Sequence, residues 1–186
     1  MATTSDLRNG AFLRFNNELV VIEEYIHRTP GNLRAFYQVK MRSVKTGKII
    51  ENRFRSGEEI TLVKLDFRKL QYIYRDDTNL VCMDVDSGEQ IYVGEKLFGN
   101  GGKFLKEGMD VNVAFEEDVP VIAEIPFFVE LEITYTEPAI KGDTVNNVLK
   151  AATVETGATV NVPLFIDTGE KIRIDTRTGE YMERVK

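Results

Sequence analysis

Hydrophobic and polar residues alternate along several short segments of the chain. The alternation is clearest at 37–42, 129–135 and 172–175, where aromatic or aliphatic residues take every second position and polar or charged residues take the others. A period of two is that of a β-strand with one buried face. We therefore predict strands at these places, with the odd-numbered residues from 129 to 135 all facing a core.

Turn-forming residue pairs separate these segments at short intervals, whereas helical periodicity is confined to brief stretches such as 95–98 and 101–107. Many short strands joined by tight turns are typical of small barrels, so the sequence predicts an all-β fold. The turn pairs are Asn16 and Asn17, Thr46 and Gly47, Ser87 and Gly88, Thr168 and Gly169, and Thr178 and Gly179.

A weak internal repeat indicates how the 186 residues are divided. A glycine followed three and five residues later by aliphatic residues occurs at Gly108 and again at Gly169. The repeat predicts two related barrels, 66–129 and 130–186, preceded by a separate first module, 1–65.

Charge changes at the same two boundaries. Residues 1–65 carry 11 Lys and Arg against 7 Asp and Glu, residues 66–129 carry 6 against 13, and residues 130–186 carry 7 against 10. The net charge of −6 therefore hides a basic first module on an acidic body. A module of this kind can bind RNA at one end of an acidic protein.

Composition narrows the class of protein. The N-terminal residues contain no apolar stretch behind a positive start, so we expect neither a signal peptide nor a membrane span. With one cysteine, Cys82, and one histidine, His27, no intramolecular disulfide or cysteine/histidine zinc site can be assembled. We expect a cytoplasmic protein without a metal or cofactor.

The glycine-rich run Gly99–Lys103 does not satisfy the pattern of a phosphate-binding loop. That pattern requires a glycine where this chain has Leu97, and a serine or threonine where it has Phe104. A surface turn is the preferred interpretation.

No catalytic set is predicted. Cys82 lies in the apolar strand 80–83, where a thiol packs as a small hydrophobe, and His27, placed in a polar turn, is assigned a structural or RNA-contacting role. The carboxylates at 76–77 and 116–118 fall at expected hairpin turns, where neighbouring side chains diverge. We therefore predict that the protein is not an enzyme.

A projecting hairpin loop is the first candidate site. Two cations flank a proline-glycine turn, and proline restricts φ while glycine allows a positive one, so a narrow loop can keep a defined shape. The loop consists of Arg28, Thr29, Pro30, Gly31, Asn32, Leu33 and Arg34.

A basic face is the second candidate site. Lys40 and Arg42 share one strand face, and Arg53 and Arg55 share another. Together they would form the electrostatic footprint of phosphate binding. By itself the same charge pattern is equally typical of a solvated strand face.

At this loop the sequence resembles bacterial elongation factor P, and the resemblance runs over essentially the whole chain. It is strongest in the C-terminal module. The residues that carry it are Ala2 to Gly10, Arg28 to Phe36, Tyr72, Tyr74, Arg75, Asp76, Thr136 to Pro138, Gly142 to Thr144, Lys150, Ala152, Thr153, Gly157, Val162 to Phe165, Gly169, Asp175 to Arg177, Gly179 and Tyr181.

The resemblance implies a fold: a KOW or SH3-like barrel followed by two OB-fold barrels, in an L-shaped, tRNA-like arrangement. It also implies a monomeric translation factor that binds the ribosome between the peptidyl and exit tRNA sites and relieves stalling at consecutive prolines. The loop would contact the peptidyl-tRNA, and Gly142, Asp143 and Thr144 would lie near the small subunit and the exit-site codon of the mRNA. The acidic middle module would face the side stalk of the large subunit.

One departure from the family pattern concerns the loop tip. The family usually has lysine or arginine there, often enlarged by covalent modification, whereas this chain has Asn32 followed by Leu33. The resemblance therefore implies the position of the loop in this chain, but not the covalent modification found in the family. Asn32 also keeps an alternative open, a diverged ribosome-binding or RNA-binding protein without rescue activity.

Overall fold

The computed structural model describes residues 2–31, 33–138 and 149–185, and most of them form strands. Two 3₁₀-helices accompany the strands, Thr4–Asp6 and Glu95–Phe104, the second kinked at Gly99. The all-β prediction is therefore confirmed. The strands are β1 (Ala2–Thr3), β2 (Phe12–Phe15), β3 (Glu18–Arg28), β4 (Phe36–Ser43), β5 (Ile49–Arg55), β6 (Glu59–Val63), β7 (Asp66–Asp76), β8 (Asn79–Asp84), β9 (Gln90–Gly94), β10 (Asp110–Glu116), β11 (Val119–Glu124), β12 (Phe128–Thr136), β13 (Leu149–Val154), β14 (Thr159–Pro163), β15 (Lys171–Asp175) and β16 (Glu180–Val185).

These strands form three sheets. Their strand orders are β1-β6-β2-β3-β4-β5, β11-β10-β7-β8-β9 and β14-β13-β12-β15-β16. The chain forms two compact units, Met1–Asp66 with Phe115–Val119, and Phe67–Ala114 with Pro120–Lys186. The third sheet and most of the second therefore belong to one unit.

The hairpin of β3 and β4 extends beyond the core of the first sheet. Pairing continues to Arg28 opposite Phe36, but on β3 the last buried residue is Ile22. A register shift between Ile22 and Glu24 leaves Glu23 as an extra, bulged residue. Residues 24–28 are exposed, so the end of the hairpin projects past the core. The buried side chains of that core are Leu7, Leu13, Val20, Ile22, Val39, Met41 and Phe54.

The repeat predicted at Gly108 and Gly169 has the same local geometry in the second and third sheets. Both glycines have positive φ, 85° and 87°. Their N–H groups donate at 2.8 Å to the carbonyls of Tyr72 and Ile133, respectively. Each acceptor is followed at once by a register shift in its strand. The second and third sheets therefore share the same glycine conformation, the same backbone hydrogen bond and the same register shift beside it.

The predicted alternation along β12 is wrong at Tyr135. Val129, Leu131 and Ile133 are buried, but Tyr135 is 62% exposed and Thr136 takes its place inside. The cause is the register shift between Ile133 and Tyr135, because one extra residue moves every later side chain to the other face. The buried Thr136 hydroxyl donates to the carbonyl of Ala151 at 3.0 Å.

The core of the third sheet includes a side chain from the helix that precedes β10. Phe104 is 0% exposed and packs among the buried aliphatic residues of β12, β13 and β15. Beside it, the Thr156 hydroxyl donates to the carbonyl of Lys103 at 2.8 Å, and Lys106 pairs with Glu155 at 2.7 Å. The segment between β9 and β10 therefore packs against the third sheet and makes polar contacts with the loop after β13.

Candidate nucleic-acid interface

The predicted loop is exposed at the end of the β3–β4 hairpin. Leu33 is 75% exposed, an unusual position for a leucine, and Arg28 and Arg34 are also exposed. The N–H of Leu33 donates to the carbonyl of Pro30 at 3.2 Å. The loop residues on both sides of Asn32 are thus exposed, the role of the loop stays a prediction, and Asn32 lies outside the described residues.

Gly31 does not use the conformational freedom expected of it. Its φ is not positive, and a Cβ built on it meets no atom within 4 Å. Because an L-residue would fit there without strain, the fixed φ of Pro30 is the stronger local constraint on the turn.

The structure places all four residues of the predicted basic face on one side of the first sheet. Arg53 lies opposite Gln38 and Arg55 opposite Phe36, so both share the side of Lys40 and Arg42 on β4. The two strand faces expected from the sequence are therefore one surface. It lies opposite the side that carries the buried Val39, Met41 and Phe54.

Glu23 offsets part of this charge. The Nε of Arg42 donates to a Glu23 carboxylate oxygen at 2.7 Å, and a second guanidinium nitrogen contacts the same oxygen. Lys40 Nζ lies 3.9 Å from the other carboxylate oxygen. Exposed pairs of this kind contribute only about 0–1 kcal/mol to stability. The effect of these pairs on phosphate binding is larger than their effect on stability. A phosphate that binds Lys40 or Arg42 must first displace the Glu23 carboxylate that the two cations share.

The least neutralised part of the surface surrounds Phe36. Arg28 on β3 and Arg55 on β5 are its cross-strand partners, and the guanidinium of Arg53 lies 5.4 Å from its ring centroid. Among the described residues, no acidic side chain lies within 4.0 Å of these three arginines. Three cations around an aromatic ring can bind phosphates and stack on a base. A cleft of about 320 Å³ lined by Arg28, Thr29, Pro30 and Phe36 opens beside them.

The opposite side of the hairpin carries stacked rings. His27, predicted in a polar turn, is instead in β3 and stacks on Tyr37 with centroids 4.5 Å apart and planes 21° apart. Tyr25 lies 6.2 Å from Tyr37 at a tilt of 39°. Register places all three rings on the side of the buried Val39.

Sequence reasoning missed Phe36, Tyr37, Tyr25 and Glu23 as parts of this site. A signal existed for the rings, because Tyr25 and His27 have a strand period of two and two adjacent aromatic residues follow the loop after Ala35. No sequence pattern indicated Glu23, because the β-bulge determines which side chains it contacts.

Other groups considered for chemistry lie in structural positions. Cys82 is fully buried, and burial raises the pKa of its thiol to about 11, so the prediction of core packing is confirmed. Asp77, Glu117 and Asp118 have positive φ, as hairpin turns require. Within the described ranges, no group of three or more His, Cys, Asp or Glu side chains could hold a metal ion. In the same ranges, no helix is long and apolar enough to cross a membrane.

The predicted codon-contacting residues Gly142, Asp143 and Thr144 lie outside the described residues. Glu137 and Lys150, which flank this segment in the chain, are hydrogen-bonded to each other. Nζ of Lys150 donates to the carbonyl of Glu137 at 2.9 Å. This contact brings the start of β13 close to the end of β12.

Comparison with known proteins covers the chain from end to end. Residues 3–60 match the family model described as the elongation factor P KOW-like domain, 65–123 its OB domain, and 129–184 the elongation factor P C-terminal domain. The KOW-like and OB assignments of the fold prediction are thereby confirmed.

Curated relatives agree with these models. Elongation factor P of Chloroherpeton thalassium is 53% identical over 187 residues, covering 100% of both chains. That of Chloroflexus aggregans is 48% identical and covers 98% of each chain, and that of Flavobacterium psychrophilum is 45% identical over 100% of each.

Solved structures share the fold at low sequence identity. Eukaryotic translation initiation factor 5A from Methanococcus jannaschii aligns with a TM-score of 0.52 at 17% identity, over 67% of this chain and 94% of that one. A translation initiation factor 5A family protein from Naegleria fowleri aligns with a TM-score of 0.54 at 15% identity, over the same shares.

Proposed function

The chain belongs to the elongation factor P family of translation elongation factors, and on this basis we propose that it binds the ribosome between the peptidyl and exit tRNA sites. There it stimulates peptide bond formation and relieves stalling at consecutive prolines by positioning the peptidyl-tRNA.

The observation that carries the proposal is the cluster of arginines around Phe36 on a hairpin that projects beyond its core. Arg28, Arg53 and Arg55 are available for phosphates, because no described acid holds them. Phosphate contacts fix the register of a bound protein on RNA, which is what positioning a tRNA requires.

The mechanism is one of position. Proline restricts its own φ and is a constrained participant in peptide transfer. Holding the peptidyl-tRNA end in one geometry lowers the entropic part of the barrier, and well-oriented reactions gain several kcal/mol. The loop of Arg28 to Arg34 supplies that orientation without donating or accepting the transferred proton.

Two further contacts belong to the proposal. The segment with Gly142, Asp143 and Thr144 reaches the small subunit and the exit-site codon of the mRNA. The acidic middle module, with 13 Asp and Glu against 6 Lys and Arg in residues 66–129, faces a basic protein of the large-subunit side stalk.

A reconstituted translation assay tests the proposal. The parent protein should accelerate synthesis through three consecutive prolines and leave a matched template without prolines unchanged. The double variant Arg53→Gln, Arg55→Gln should lose most of the acceleration. A parent protein that binds ribosomes but gives no acceleration would replace the proposal with the alternative, a diverged ribosome-binding protein without rescue activity.

A further inference from the structure

Three aromatic rings lie together on the side of the hairpin opposite the arginine cluster: His27 stacks on Tyr37, and Tyr25 is tilted against Tyr37. Tyr37 is the middle ring, paired across the strands with His27 and diagonal to Tyr25. Tyr25 is 37% exposed and His27 is exposed as well, whereas Val39, the next residue of β4 on this side, is fully buried. The rings thus lie on the same side of the sheet as the core, but beyond the end of the core, where Tyr25 and His27 are exposed to solvent.

The loop end of the stack is open. The residue two positions before Tyr37 on the same side is Ala35, which carries only a methyl group. It is held in line by the N–H of Ser56, which donates to its carbonyl at 3.1 Å. A planar group could therefore lie beside the His27 and Tyr37 rings at their loop end without displacing a large side chain of β4.

We propose that Tyr25, His27 and Tyr37 form a stacking site for an unpaired nucleobase of single-stranded RNA. The inference rests on the proposed function, which places this hairpin beside the tRNA end, and it assigns the base to the side of the hairpin that the arginine cluster does not occupy. Aromatic rings bind any base through its π-face, so the site is tolerant of sequence.

The charges at the end of the hairpin suit such a ligand. Arg28 ends β3 on the side of Phe36, and Arg34 lies two residues before β4. Both are exposed, and among the described residues neither has an acidic partner within 4.0 Å. Base stacking accompanied by cations that follow the backbone is how proteins bind single-stranded nucleic acid.

The test uses the full-length protein and a tRNA acceptor minihelix with an unpaired 3′ CCA end, in which 2-aminopurine replaces the terminal adenine. Stacking quenches 2-aminopurine fluorescence, so the parent should quench it on binding. The double variant Tyr25→Leu, His27→Leu should bind about tenfold more weakly, as expected for the loss of one stacked base, and should abolish the quenching. Tyr37→Phe, which keeps the ring, should behave as the parent.

Two matched controls separate stacking from general effects. Tyr135→Leu removes an exposed tyrosine ring from β12 and should change nothing. A blunt minihelix without unpaired nucleotides should bind the parent and the double variant equally well. Equal quenching by the parent and the double variant, or equal weakening of both minihelices, would overturn the stacking site.

Ribosome co-sedimentation distinguishes this inference from the proposed function. A parent that fails to sediment with ribosomes but still quenches the minihelix would reject the ribosomal function and leave the stacking site standing. A parent that sediments with ribosomes but never quenches the probe would reject the stacking site alone.

Discussion

Glu23 and Arg42 form an ion pair across β3 and β4, in which the Nε of Arg42 donates to the carboxylate at 2.7 Å. The pair exists because Glu23 is the extra residue of a β-bulge, which places its side chain beside both Arg42 and Lys40. It divides the basic surface into a half that Glu23 neutralises and a half around Phe36 in which, among the described residues, no acid lies within 4.0 Å of the arginines.

Removal of the Glu23 charge should strengthen RNA binding. Glu23→Gln releases Lys40 and Arg42, so ribosome affinity at low salt should rise several-fold. The plot of log affinity against log salt should steepen by about one contact. Glu18→Gln, the same change at the start of β3, is the control. Unchanged affinity in Glu23→Gln would show that this half of the surface does not touch RNA.

The two halves of the basic surface should contribute unequally. Arg53→Gln with Arg55→Gln should weaken ribosome binding more than Lys40→Gln with Arg42→Gln, because the second pair is already offset by Glu23. Affinities measured over a range of salt concentrations test this, and the first double variant should also flatten the salt dependence more. Equal losses of affinity in the two double variants would mean that breaking the ion pairs of Glu23 with Lys40 and Arg42 costs little free energy on binding.

Asp175 should make stability depend on pH below about 4. The Arg177 side chain donates to it at 2.6 and 3.0 Å, and this pairing lowers the pKa of the carboxyl to about 2. Since the folded pKa is depressed, the stabilisation is present above the unfolded value of about 3.9 and is lost as the pH falls towards 2. Asp175→Asn should lower the melting temperature at pH 7 and reduce its fall between pH 4 and pH 2. Glu180→Gln, its cross-strand neighbour on β16, should keep the parent profile.

Phe104 should be critical for the third sheet although it lies outside it. Phe104→Ala removes a fully buried ring from that core and should destabilise it by about 3–5 kcal/mol in urea denaturation. Phe165→Ala, which truncates a ring that is 63% exposed, should cost far less. Similar losses in the two variants would mean that the Phe104 site collapses without a cavity.

The loop should depend on its proline more than on its glycine or its tip. Gly31→Ala should retain full acceleration of proline-run synthesis, because the φ of Gly31 is not positive and the added methyl meets open space. Pro30→Gly should lose activity several-fold, and more than Asn32→Ala, because it removes the restricted φ at position 30, whose carbonyl accepts from Leu33. Full activity of Pro30→Gly would separate the shape of the loop from its function.

A covalent group on the loop would contradict the expectation set by Asn32. Protein made in a host without any known modifying enzyme should accelerate three-proline synthesis as well as protein from its native source. Intact-mass measurement of the native protein should return the sequence mass. A heavier native protein, together with inactivity of the unmodified form, would show that a modified residue carries the activity.

Strands, turns and the internal repeat were predictable from sequence because each is a local property. A period of two places Leu131 and Ile133 on one face, and a glycine followed by spaced aliphatic residues marks the same turn at Gly108 and Gly169. The exposed loop was predictable for the same reason, since proline next to glycine specifies a turn wherever it occurs.

Only the tertiary structure decided which side chains meet. The bulges at Glu23 and after Ile133 shift register by one residue, which pairs Arg42 with an acid and exposes Tyr135. Cross-strand pairing surrounds Phe36 with arginines, and long-range packing inserts Phe104, from the helix before β10, into the core of the third sheet. Such contacts join residues far apart in the chain, and because one added residue reverses the face of every side chain after it, no local pattern can specify them.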